Sequence, residues 1–330
     1  MKKLLPIILL SALTGCSAVS TREEGGDYSR TAYEPRYAEG FRLMSLPTDT
    51  NALMLEVYRP DTLRLEIPKG GFRRLVCMSS TYVGSLSELG QAAKVVGVSG
   101  RDWLTNRKVA ERAVEVGYDG AMDYETLLSA QPDLVLLYGI GGESPIAAKL
   151  DALGVKHVYI NEFEEQKPLG RAEWAVALGA LTDTDGRKAF AEVCRGYRPA
   201  EGETPVMLNA PYSGNWFIPG KENYMTRLLG DAGARVAAPQ HEGVESKPID
   251  METALSSLAA SELWLFPGQA RNAGDVRMLA PKADFRGPIW NQTPDFYESG
   301  AARPDLVLKE LQGIVSGAPA DSLRYFFRIQ

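Results

Sequence analysis

The chain has 330 residues, 45% of them hydrophobic and 24% charged, enough apolar material for a sizeable core divided between two lobes. Its formal net charge of -6 leaves no basic excess to neutralise a phosphate backbone. That balance excludes nucleic acid as the main partner and makes an anionic membrane surface unattractive.

Lys2 and Lys3 precede an apolar run over residues 4–13 that ends in Leu13-Thr14-Gly15-Cys16. A charged start, a short apolar stretch and small residues make a secretory signal over residues 1–15, too short to span a bilayer. The last four residues resemble a bacterial lipobox, so Cys16 is expected to carry acyl chains that anchor the protein to a membrane without crossing it. Residues 16–40 are expected to be a tether, its beginning at 17–26 polar and small. Over residues 41–70 short apolar and polar runs alternate, as at 52–58 and 63–67, which suits the antiparallel strands of a small β appendage.

From residue 71 the pattern changes to strands alternating with helices of about a dozen residues, the signature of parallel sheet. An N-terminal lobe over residues 71–167 has strand-like runs at 75–78, 95–98, 134–137 and 156–160, with helical spacing at 83–93 and 144–153. A connecting helix is expected over residues 168–199, with Trp174, Leu178 and Leu181 on one apolar stripe. Phe190, Val193 and Tyr197 continue that stripe beyond a polar interruption at Thr182-Asp183-Thr184-Asp185. A C-terminal lobe over residues 200–330 repeats the alternation, with strands at 206–208, 263–266 and 288–290 and helices near 224–232, 275–279 and 304–315. The fold class is therefore α/β: two lobes with mainly parallel sheets joined by one long helix, carrying the small appendage at the N-terminus.

One element occurs twice. Asp123-Tyr-Glu125-Thr-Leu-Leu-Ser129 and Asp250-Met-Glu252-Thr-Ala-Leu-Ser256 agree at Asp, Glu, Thr, Leu and Ser, and each precedes a strand-like run. Each reads as a helix opened by an Asp cap, with a Glu in the first turn favoured by the helix dipole.

Enzyme signatures are missing. There is no Gly-x-Ser-x-Gly elbow and no phosphate-binding Gly-x-x-x-x-Gly-Lys run. Gly139-Ile140-Gly141-Gly142 follows a strand but reads as a turn, because Ser144 stands where a dinucleotide loop needs its last Gly. His157 falls in a strand pattern and His241 in a polar loop, where it is expected to be solvated. Cys77 and Cys194 are expected to be two separate buried thiols, and no Cys/His spacing suggests zinc. No cofactor or metal site is expected. The polar run 162–167 reads as a solvated connection. Strand ends and loops instead carry aromatic and amide side chains: Ser80, Tyr82, Trp103 and Tyr138 in the first lobe, and Tyr212, Trp216, Gln269, Arg271 and Asn291 in the second. Such a set suits a large, partly apolar ligand with polar edges, with Arg271 meeting a carboxylate or phosphate.

The order of these segments resembles the substrate-binding proteins of bacterial ABC importers, in the class whose lobes share a single long helix. The residues that carry the resemblance are Val76-Cys-Met-Ser-Ser80, Val95-Val-Gly-Val-Ser-Gly100, residues 124–135, Pro168-Leu-Gly-Arg-Ala-Glu-Trp174, Trp216-Phe-Ile-Pro-Gly220 and Arg303-Pro-Asp-Leu-Val307. The resemblance implies a non-catalytic receptor for cobalamin, a ferric siderophore or haem, with only modest closure about the stiff connection. It also implies that Glu125 and Glu252 dock with arginines of a membrane-embedded permease. Two alternatives are a surface lipoprotein that scavenges such a ligand for an outer-membrane receptor and, remotely, a hydrolase on the same scaffold.

Overall fold

The structure is a computed structural model that describes residues 26–58, 62–140, 142 and 144–330. The signal segment, the lipidation candidate Cys16 and Gly141 of the glycine run lie outside the described residues. No helix among the described residues is long and apolar enough to cross a membrane.

The chain enters through an antiparallel sheet of β1 (Arg30–Tyr33), β2 (Phe41–Ser45), β3 (Leu53–Val57) and β4 (Leu63–Glu66), paired in that order. Phe41, Leu43, Leu55, Val57 and Leu65 alternate along the strands and share the first lobe's core. The expected tether over 16–40 therefore gives way: Arg30–Tyr33 is already a strand, and residues 33–40 are bound to the connecting helix.

The first lobe runs β5 (Leu75–Cys77), α1 (Ser80–Glu88), β6 (Val95–Val98), α2 (Arg107–Arg112), β7 (Val114–Glu115), a small hairpin of β8 (Gly117–Tyr118) and β9 (Ala121–Met122), α3 (Tyr124–Ser129), β10 (Leu134–Leu137), α4 (Ala147–Ala152) and β11 (His157–Tyr159). Its main sheet has the order β11-β10-β5-β6-β7, with all neighbours parallel. A turn over Glu162–Glu164 leads into α5 (Pro168–Leu181) and α6 (Gly186–Gly196). The second lobe contains β12 (Thr204–Leu208), β13 (Trp216–Pro219), α7 (Tyr224–Asp231), β14 (Ala234–Val236), β15 (Ser246–Ile249), α8 (Met251–Ala259), β16 (Leu263–Leu265), α9 (Ala273–Leu279), β17 (Ile289–Gln292), α10 (Pro294–Ser299), α11 (Pro304–Val315) and β18 (Phe326–Arg328). Its sheet, β14-β12-β16-β17-β18, is parallel except for the last pair. Each core strand is buried on both faces, which is why these segments read as short unbroken apolar runs.

The two repeat copies occupy equivalent places. α3 precedes β10, which pairs with its lobe's first strand β5; α8 precedes β16, which pairs with β12. Asp123 and Asp250 cap them with the same bonds, accepting from the amides of Thr126 and Thr253 and from the hydroxyls of those threonines.

The connection differs from one continuous helix. The polar interruption is a turn, and α6 folds back against α5. Asp183 takes φ 53°, Asp185 caps α6 by accepting from Lys188, and Gly186 lets the helices close: a Cβ there would come 2.1 Å from the Ala175 carbonyl oxygen. α5 belongs to the first core through Trp174, Ala177 and Leu178, while Leu169 in its first turn packs against both cores.

The lobes also touch directly. α1 packs on α10 so closely that a Cβ on Gly84 would fall 1.8 Å from the Glu298 carbonyl oxygen. The buried Glu298 carboxylate accepts from the amides of Thr105 and Asn106 across the boundary, and Arg303 and Arg324 of the second lobe both pair with Glu88 of the first.

Glu162 and Glu165, expected on a solvated connection, are buried with 4% and 6% exposure. The Thr81 hydroxyl donates to Glu162 Oε1, whereas Oε2 is enclosed without a hydrogen-bond partner among the described residues, and burial pushes the carboxyl up to about 7. A raised carboxyl binds its proton more tightly in the folded chain, so this contribution favours folding at low pH. It is lost as pH rises from the ordinary value of 4.5 through about 7. Glu162→Gln is accordingly expected to flatten the fall in denaturation free energy that the native chain shows across that window, a difference on the order of 3 kcal/mol by pH 8 in urea titrations. Gly84→Ala is expected to destabilise by roughly 1–3 kcal/mol in the same assay, because backbone atoms cannot move aside as a flexible side chain would.

Candidate functional site

The cleft site is assembled at the carboxyl ends of strands from both lobes, where open α/β sheets present loops rather than side-chain layers. From the first lobe, Ser80 opens α1 after β5, and Trp103 stands on the loop after β6. That loop is held by Glu115, whose carboxylate accepts from the amides of Gly100 and Arg101 at 3.0 and 2.6 Å. Trp103 is 81% exposed, a large apolar surface left uncovered on a loop fixed from below.

The second lobe supplies more. After β16 the chain turns through Phe266 at φ 61°, a conformation costly for a bulky residue, while its ring stacks on Phe326 at 5.8 Å. The loop that follows carries Gln269 and Arg271. Asn291, on β17, donates its side-chain amide to the carbonyls of Gly268 and Ala270 at 2.9 and 2.8 Å. The far end is tied to α9, where Asp275 accepts from the Arg271 amide at 2.7 Å and forms a capping box with Asn272. Backbone strain, an amide clamp and a helix cap thus converge on one loop and fix the two side chains it presents.

These residues line a cavity of about 510 Å³ together with Gln292, Pro294, Tyr297 and Phe327. Arg271 is the charged side chain in that lining, and its guanidinium has no ion pair among the described residues. Tyr297 is 58% exposed, and its hydroxyl donates to Gln292 Oε1 at 2.6 Å. The cavity therefore offers three rings, several amides and one free cation. No group of three or more His, Cys, Asp or Glu suited to a metal ion occurs among the described residues.

Of the sequence candidates, Ser80, Trp103, Gln269, Arg271 and Asn291 meet in this cavity, and Asn291, 5% exposed, acts mainly as the clamp. Tyr82 and Trp216 are corrected to core residues. Tyr82 is 1% exposed, its hydroxyl donating to the carbonyls of Leu137 and Ile160, and Trp216 is wholly buried with Nε1 on the Leu208 carbonyl. In both cases a polar handle is satisfied by strand ends, so the ring is free to fill the core. Tyr138 is half-buried beside Asp119, to which its hydroxyl is bonded, and Tyr212 is exposed on a separate turn; neither lines the cavity. His241 is half-buried rather than solvated, with Nε2 enclosed. Cys77 is buried and Cys194 half-buried, both as free thiols. Gln292, Pro294, Tyr297 and Phe327 are additions: Gln292 and Phe327 stand on the paired strands β17 and β18, and Pro294 and Tyr297 on α10, which follows β17. Glu125 and Glu252 lie far from this chemistry in kind: both are exposed in the first turns of their helices, and neither has a side-chain partner among the described residues.

Known proteins share this architecture. A periplasmic heme binding protein from Pseudomonas aeruginosa superposes with a TM-score of 0.57 at 18% identity, covering 78% of this chain and 98% of its own. A periplasmic vitamin B12 binding protein of Vibrio cholerae superposes with a TM-score of 0.54 at 14% identity, covering 74% and 98%. In sequence, the chain is 22% identical over 268 residues to an uncharacterized lipoprotein of Methanocaldococcus jannaschii, an alignment that takes in 73% of this chain and 64% of that relative. The model of the periplasmic binding protein family matches residues 75–282, more than half of the chain and the greater part of both lobes. The chain belongs to the periplasmic binding protein family.

Proposed function

We propose that this protein is a lipid-anchored receptor that captures an iron complex or a corrinoid in the cleft and delivers it to an ABC permease. The observation that carries the reading is the interlobe cavity, whose ring surfaces, amides and single free guanidinium are held in place by bonds that make no use of a ligand. Affinity would come from covering Trp103 and Tyr297, and orientation from the polar edges. Among the described residues the lining offers no His, Cys, Met or carboxylate, and Tyr297 is engaged with Gln292. This favours a cargo whose metal is already fully coordinated, recognised from outside, with an anionic edge on Arg271. Cys16 would supply the anchor, and Glu125 and Glu252, set on equivalent helices of the two lobes, would meet permease arginines.

Titrating the purified protein with a ferric tris-catecholate, cyanocobalamin and haemin, with tryptophan fluorescence as the signal, tests the cleft. Binding is expected to quench Trp103, and Trp103→Phe to remove most of the change. Arg271→Ala is expected to weaken an anionic ligand by roughly 10- to 100-fold. Unchanged affinity would remove Arg271 from the site. Glu125→Ala with Glu252→Ala is expected to abolish uptake in cells while leaving affinity unchanged; a loss of affinity would place those residues in the cleft instead.

A further inference from the structure

The N-terminal appendage is joined to the rest of the protein in an unusual way. Glu173, in the middle of α5, has no exposed surface, and its carboxylate is surrounded by donors from a single stretch of chain. The Tyr33 hydroxyl donates to Oε1 at 2.6 Å and the Arg36 amide at 2.9 Å, while the amides of Tyr37 and Ala38 donate to Oε2 at 2.6 and 2.8 Å. One step further along, Glu165 accepts from the amides of Glu39 and Gly40 at 2.9 and 3.0 Å, and also from Trp174 Nε1 at 3.1 Å. Residues 33–40 are thus laid along α5 and the link before it by consecutive backbone amides, those of residues 36–38 ending on Glu173 and those of 39 and 40 on Glu165. Phe41 continues the contact with its ring 4.8 Å from Trp174, and Arg187 of α6 donates to the Ala32 carbonyl.

The place of these bonds matters. Glu165 lies in the short link between the first lobe and α5, and its carboxylate joins three elements: the link itself, residues 39–40 and Trp174. α5 is one of the elements that contact the second lobe, through α7 and α11 and through Arg171, whose guanidinium sits 3.7 Å from the Tyr224 ring; α1 on α10 and α6 on α11 are others. Both α5 and α6 pack in the first core, and the chain enters the second core at Tyr197, so the brace bears on those rotations that flex the link or tilt α5 on the first core. Either motion would pull the Glu173 and Glu165 carboxylates away from the amides that replace their hydration. A cavity of about 330 Å³, lined by Tyr37, Glu39 and Gly40 on one side and Arg227 and Val244 of the second lobe on another, marks where the segment faces the moving lobe. The family match begins at residue 75, so residues 33–40 lie outside the matched stretch.

We propose that residues 33–40 form a brace on the interlobe connection, fastened by Glu173 and Glu165, that restrains opening of the cleft. The inference does not depend on which ligand is carried. The amides of Thr105 and Asn106, bonded to Glu298 across the lobe boundary, are built-in reporters of opening.

Residue-level hydrogen exchange on the ligand-free protein tests it. In Glu173→Gln, which replaces one acceptor oxygen with a donor, the amides of Arg36, Tyr37 and Ala38 are expected to exchange at least about tenfold faster. Those of Thr105 and Asn106 are expected to accelerate severalfold, with the core amides of β12 unchanged. Faster exchange at residues 36–38 with no change at Thr105 and Asn106 would overturn the brace, as would unchanged exchange at residues 36–38 themselves. If β12 accelerates equally, the variant is globally weakened and Tyr33→Phe decides, since it removes one donor of the four. With β12 steady in that variant, faster exchange at Thr105 and Asn106 supports the brace and unchanged exchange overturns it.

Discussion

A carboxylate withdrawn from water is tolerable only where donors replace its hydration, and the junction of this protein is organised around three that have been withdrawn. Glu173 and Glu165 are supplied mainly by backbone amides of residues 36–40, which fixes the path of the N-terminal segment. Glu162 is bonded by the Thr81 hydroxyl, lies by its own and the Phe163 amide and feels the charge of Arg171, itself half-buried and bonded to the carbonyls of Phe163 and Glu165. The most satisfied carboxylates thus hold a structural join. The third stands beside the first turn of α1, next to the cleft residue Ser80, and burial pushes its carboxyl up to about 7.

That junction explains why a two-lobed molecule can present a preformed site. Contact between α1 and α10 brings Ser80 and Pro294 to the same cavity, and the Glu298 bonds hold the loop that begins Thr105-Asn106 just beyond Trp103. The first lobe therefore gives the cleft an aromatic face on a pinned loop, while the second gives it the polar edge and the cation. Shared topology places the cleft, and unequal loops give it its chemistry.

Much of this was legible because it is local. Asp caps, short apolar runs and their alternation with helices depend on neighbours a few residues away, so both lobes and both repeat helices could be read directly. The turn between α5 and α6 was written in Asp185-Gly186, an N-cap followed by the residue that permits close helix contact, but the apolar stripe continues in phase across it and masks the fold-back. Tyr82 and Trp216 could not be sorted from Trp103 by position, since all three follow or flank strands. What separates them is whether a carbonyl some distance away in sequence is there to accept: Ile160 and Leu137 for Tyr82, Leu208 for Trp216. Glu162, Glu165 and Glu173 were opaque for the same reason, because their donors are up to 140 residues distant.

The duplicated helices carry the contrast furthest. Their caps are the same in residue and hydrogen-bond partners, and each leaves its first-turn glutamate exposed, whereas the two lobes bring different residues to the cleft. A cap needs only its own four residues and so survives divergence of everything around it, whereas a cleft contact depends on a distant clamp such as Asn291 and shifts whenever that clamp does. Under the proposed function, docking by one carboxylate from each lobe rests on the first kind of element and selectivity for a cargo on the second. The division between Glu125 and Glu252 on one hand and Trp103 and Arg271 on the other follows that line.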